Sequence, residues 1–64
     1  MEIKNGVLYK VADYNIYFGK FKFPRNVIEI GEGAFENCTS LETIVFPQSI
    51  QTIHEYAFSG CEKI

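Results

Sequence analysis

Residues 24–41 and 47–64 align without a gap at an offset of 23. This internal period constrains the fold more than any other feature, because a chain built of self-similar segments buries its apolar faces by stacking one segment on the next. Pro24 repeats as Pro47, Ile30 as Ile53, Glu32 as Glu55, Ala34 as Ala57, Phe35 as Phe58 and Cys38 as Cys61. Val27 against Ile50 and Leu41 against Ile64 fill further apolar positions. These identities fall mostly on apolar and punctuation positions, which chance repetition does not explain. The same step taken backwards places Leu41–Pro47 on Phe18–Pro24, so Phe18, Phe21 and Phe23 share columns with Leu41, Ile44 and Phe46. The first segment is thus a degenerate third repeat. Asn15 falls opposite Cys38 and Cys61, at a bend where a small polar side chain can satisfy backbone groups left without partners.

From Val27 to Pro47 the chain resembles the BspA-like leucine-rich repeats, whose pattern runs Ile-x-x-Ile-Gly-x-x-Ala-Phe-x-x-Cys-x-x-Leu-x-x-Ile-x-x-Pro. Val27, Ile30, Gly31, Ala34, Phe35, Cys38, Leu41, Ile44 and Pro47 all match, as do Ile50, Ile53, Ala57, Phe58 and Cys61 in the next turn. The departures are His54, where the pattern has Gly, and Ile64, where it has Leu. Residues 5–24 are similar to the looser segment that opens such arrays. The alternation of Asn and Cys in one column also agrees with leucine-rich repeats, which use either residue at that turn. The resemblance implies a leucine-rich-repeat solenoid and a role in binding other proteins, in cell-surface adhesion or attachment to host proteins.

The expected architecture is α/β but strand-rich, with short parallel strands, single helical turns and about 2.5 repeats. Phe18, Phe21, Phe23 and Leu41, Ile44, Phe46 read as short strands, each ended by a proline that cannot donate to a ladder. Stacked in register they form a parallel sheet at about 4.7–4.9 Å spacing. Val27 with Ile30, and Ile50 with Ile53, form a second extended piece on the opposite side, while Glu32–Asn37 and Glu55–Gly60 are single helical turns held by burial of Phe35 and Phe58. A single domain spans 1–64: residues 1–17 form a cap-like segment, 18–40 and 41–63 are repeats, and Ile64 starts an incomplete one. Asn5-Gly6 is a turn signal, from which Val7, Leu8, Tyr9 and Val11 can fold over the first repeat. The sequence makes no comparable provision beyond Phe58, so the chain is either part of a longer array or pairs its uncovered end with another chain.

The residues point away from catalysis and cofactors. Cys38, Cys61 and His54 fall short of the four ligands a structural zinc requires, and the cysteine spacing follows the repeat, which favours buried free thiols over a disulfide. His54 occupies a surface turn with no Asn or Asp placed to orient it against Cys61. Glu32 and Glu55 read as solvated carboxylates stacked in register, Gly31-Glu32-Gly33 lacks the rest of a phosphate loop, and Asn37-Cys38-Thr39 is a bare glycosylation sequon. A net charge of −2 with no basic stripe argues against nucleic acid. No run approaches the roughly 20 apolar residues of a membrane-spanning helix. The chain is therefore expected to be no enzyme, and to bind no metal or cofactor.

Surface recognition remains. The outward positions of the expected strands are the columns Gly19 and Glu42, Lys20 and Thr43, and Lys22 and Val45. They form the expected protein-contact strip, which Tyr9, Tyr14 and Tyr17 can extend. Besides an interaction module of a surface or adhesion-type protein, two readings stand: a small stand-alone binder or inhibitor of an intracellular protein, and a unit that self-associates through its open C-terminal coil.

Overall fold

Asn5 and Gly6 take φ of 52° and 79°, the left-handed pair that a two-residue type I′ hairpin needs. In the computed structural model, which describes residues 1–64, they join β1 (Glu2–Lys4) to β2 (Val7–Lys10) antiparallel, with Lys4 opposite Val7. A 3₁₀ turn at Asp13–Asn15 follows. β3 (Glu29–Ile30) then pairs parallel with β2, and β4 (Thr52–Ile53) parallel with β3, giving one mixed sheet in the order β1-β2-β3-β4.

The period is visible in the register. Glu29 lies opposite Thr52 and Ile30 opposite Ile53, while Val7 and Leu8 face Glu29 and Ile30, one residue short of the full period. The sheet thus occupies the side where the sequence suggested only a second extended piece. On the other side, expected to carry the main parallel sheet, the pairing shrinks to one parallel bridge, Lys20 to Thr43. The cause is local. Phe18 and Gly19 have φ of 52° and 78°, and Tyr17 and Lys20 exchange both backbone hydrogen bonds at 2.9 Å. Residues 17–20 are therefore a second tight hairpin, and a strand running through Phe18 is impossible.

The expected helical turns at Glu32–Asn37 and Glu55–Gly60 are instead successive β-turns. Ala34, Glu36 and Cys38 donate to the carbonyls of Gly31, Gly33 and Phe35 at 3.0–3.1 Å. The alternate N–H groups, on Gly33, Phe35 and Asn37, leave the segment and donate to Glu55, Ala57 and Ser59 at 2.7–3.2 Å. Those donors cannot close a helix, and the left-handed Gly33 and Asn37 (66° and 61°) forbid one. Tyr56 and Gly60 repeat the same positive φ one period later.

The core comprises Leu8, Val11, Ile16, Phe21, Val27, Ile30, Ala34, Phe35, Cys38, Leu41 and Ala57. Phe35 is fully buried, with Phe58 stacked on it at 5.0 Å and Phe21 edge-on at 5.0 Å; Phe23 and Phe46 extend the network at 6.1 Å. Every phenylalanine but Phe18 joins it. The thiols serve the bends as the Asn/Cys column suggested: Cys38 donates to the Val11 carbonyl at 3.5 Å and Cys61 to that of Phe35 at 3.0 Å, while Asn15 accepts from the Ala12 N–H at 2.9 Å. No buried polar side-chain atom lacks a partner.

Candidate protein-contact surface

The 17–20 hairpin builds the upper row of a lateral surface. Its Gly19 carbonyl accepts hydrogen bonds from the N–H groups of Glu42 and Thr43 at 2.8 and 3.1 Å, which fixes residues 19–20 directly over 42–43. Lys20, Lys22, Glu42, Thr43 and Val45 all face solvent on this surface. Gly19 does not: it is buried, and a Cβ there would lie 2.8 Å from the Glu42 carboxyl carbon. Its role is to let the Glu42 side chain lie across the backbone, so it belongs to the scaffold of the strip and not to its contact atoms.

Between the two rows lies a groove of 570 Å³ lined by Tyr17, Lys20, Phe21, Lys22, Thr43 and Val45. Val45 is 83% exposed and Tyr17 is also well exposed. Neither lysine is paired with a carboxylate, since the ion pair of the molecule joins His54 to Glu29 at 3.0 Å. Beyond the Lys20–Thr43 bridge, the N–H groups of Lys22, Phe23, Val45 and Phe46 make no internal hydrogen bond. The groove therefore brings together apolar area, two free ammonium groups and, at Lys22 and Val45, backbone N–H groups without an internal acceptor.

Sequence reasoning missed Phe18. Its column placed it with the fully buried Leu41, yet Phe18 is 99% exposed at the tip of the hairpin beside Tyr17. Ile16 enters the core instead. The one signal that could have shown this was Gly19, which accepts the positive φ of a hairpin turn freely, whereas Phe18 gives no local sign of the same conformation.

Elsewhere the titratable groups have structural partners. Asp13 accepts the Ser40 hydroxyl at 2.7 Å and the Ser40 N–H at 3.0 Å. These bonds, the hydroxyl first, hold its carboxyl below the usual value. Burial pushes the Cys38 thiol up to about 11 and raises that of Cys61 as well, so both are protonated and poor nucleophiles near neutrality. His54 hydrogen-bonds Glu29, not Cys61. Glu32 and Glu55 are exposed, and Glu32 borders a second, 360 Å³ hollow with Lys10, Glu36 and Tyr56. No group of three or more His, Cys, Asp or Glu side chains is placed to hold a metal ion. No helix is long and apolar enough to cross a membrane.

Comparison with known proteins returns one family model, described as BspA type leucine rich repeat region (6 copies), which matches residues 7–64. No curated protein and no solved structure matches the chain.

Proposed function

We propose that this chain, which belongs to the BspA-type leucine-rich-repeat family, is a non-catalytic protein-binding module whose repeats stack as a short solenoid. The observation that carries the reading is the lateral groove, where exposed Val45, Tyr17 and Phe18 accompany two unpaired lysines. Large exposed apolar groups gathered beside unpaired charge and backbone donors mark a recognition surface more than a solvated wall. The strip is small against the roughly 800 Å² per partner of a stable interface. It suits either a weak contact or one patch of a larger array, as in an adhesion-type surface protein. A small stand-alone binder of an intracellular protein would use the same strip.

The test is selection of a displayed peptide library on the immobilised chain, followed by measurement of the selected binders on two variants. Binders are expected to lose affinity for Lys22→Glu/Val45→Asp and to retain it for Glu36→Lys on the turn side. Failure to enrich any binder, or binders indifferent to the strip substitutions, would refute the role.

A second reading draws on a different observation. Ile53, Tyr56 and Ile64 are exposed, and β4 is an edge strand of the sheet. Self-association through that face fits both features. Sedimentation over a hundredfold concentration range checks it: rising mass supports end-to-end assembly, and a constant monomer mass removes it.

A further inference from the structure

We infer that the groove takes an extended acidic peptide segment in which two carboxylates two residues apart share one face with an apolar side chain a further two residues away. This deepens the protein-binding reading and rests on it. Lys20 and Lys22 are alternate residues of one chain segment, both exposed, and neither is neutralised from within the molecule. In extended chains alternate side chains point to the same side and stand about 6.6 Å apart. A partner in the same conformation therefore meets both ammonium groups with carboxylates at its own alternate positions.

The apolar requirement comes from what flanks the lysines. Tyr17, Phe21 and Val45 line the groove with them, and Phe18 stands fully exposed on the adjoining hairpin tip. An aromatic side chain with φ of 52° and no cover is costly to maintain for stability alone. A bound apolar side chain beside the hairpin would remove Phe18 from water. Glu42 sets the register. Its side chain lies against Gly19, next to the hairpin, so a ligand carboxylate is repelled there and directed towards Lys20 and Lys22. The N–H groups of Lys22 and Val45, two residues that line the groove, make no internal hydrogen bond and are further donors for an extended peptide backbone. A basic or polyanionic nucleic-acid ligand fits less well: the first is repelled by both lysines, and the second needs more cations than a chain of net charge −2 places here.

The probe is the fluorescein-labelled heptapeptide Phe-Ser-Glu-Ser-Glu-Ser-Phe, titrated by anisotropy at low and moderate salt. Its comparators are Phe-Ser-Lys-Ser-Lys-Ser-Phe and Phe-Glu-Ser-Ser-Ser-Glu-Phe, which has the same composition but its carboxylates on the opposite face. The first peptide is expected to bind at least about tenfold tighter than the lysine version, and to lose affinity as salt rises. It should also bind more tightly than its isomer. The Lys20→Glu/Lys22→Glu variant is expected to reverse the charge preference, a result that mere unfolding cannot produce. Equal affinity for the glutamate and lysine peptides, or an unchanged preference in the charge-swapped variant, overturns the inference. No binding by the glutamate peptide also overturns it. If library-selected binders still depend on the strip in that case, the ligand class fails while the binding role stands; if they do not, both fail.

Discussion

The same repeat positions are buried in one half of the molecule and open in the other. Ile30 is 0% exposed and Ile53, its equivalent, 47%; Leu41 is 0% exposed and Ile64 57%. Phe35, Val27 and Cys38 are buried, whereas Phe58, Ile50 and Cys61 are only partly so. The side chains hardly differ in chemistry, so composition does not set their burial. What differs is cover within residues 1–64: β3 and the segment through Leu41 have chain packed on both sides, while β4 and the segment through Ile64 have it on one side. The apolar positions of a repeat are completed by the repeats around it. The lateral strip escapes this asymmetry because both of its rows are joined by the bonds from Glu42 and Thr43 to Gly19.

The sharpest way to break the comparison is to truncate equivalent phenylalanines. Phe35→Ala is expected to cost about 3–5 kcal/mol, comparable with the whole stability of so small a domain. Phe58→Ala should cost less, because Phe58 is only partly buried. Thermal and urea unfolding followed by circular dichroism will rank them, and equal losses would contradict the asymmetry. Leu41→Ala and Ile64→Ala repeat the contrast on a smaller scale, at about 2–4 kcal/mol against no more than about 0.5 kcal/mol.

The backbone offers a contrast of opposite sign. Gly33 and Tyr56 share a column and a left-handed conformation (66° and 59°). Tyr56→Gly should therefore stabilise by up to about 1 kcal/mol despite removing an aromatic side chain, while Gly33→Ala should destabilise by a similar amount, both read from unfolding midpoints.

Much of this was legible in the residues. The 23-residue offset reappears in the pairs Glu29–Thr52, Ile30–Ile53 and Lys20–Thr43. Asn5-Gly6 announced the hairpin, and the Asn/Cys column announced side chains that satisfy backbone groups at the bends. Three features were hidden, each for a physical reason. Apolar spacing is blind to the sign of φ, so Phe18 was placed with Leu41 although the hairpin turns it outwards. The turns at Glu32–Asn37 look helical locally, but their N–H groups are claimed by carbonyls one repeat away, which no local pattern records. Gly19 appeared to face outwards because its column does, and only the position of the Glu42 side chain shows that it is covered.

Two smaller effects concern titration. Asp13 has a carboxyl pKa lowered by Ser40 from the ordinary 3.8. A depressed folded value means that its contribution is fully present above the unfolded value and is lost as pH falls through the folded one. Acid unfolding of the native chain should thus show a stability loss below about pH 4 that Asp13→Asn lacks. The smallest effect is in the thiols: Cys61, partly exposed, should react with a neutral-pH thiol reagent faster than buried Cys38, whose thiol is pushed up to about 11. Mass spectrometry of the singly labelled product identifies which reacts first.

Amide hydrogen exchange resolved by residue tests the stacking most directly. Phe35 and Asn37 donate to the following repeat, and Glu42 and Thr43 donate to Gly19 beneath the strip, whereas the N–H groups of Phe58, Gly60, Lys22 and Val45 make no internal hydrogen bond. The first four amides should exchange slowly and the second four at rates near those of an unfolded chain. Matching protection at Phe35 and Phe58, or fast exchange at Thr43, would contradict the register on which both the uneven core and the contact strip depend.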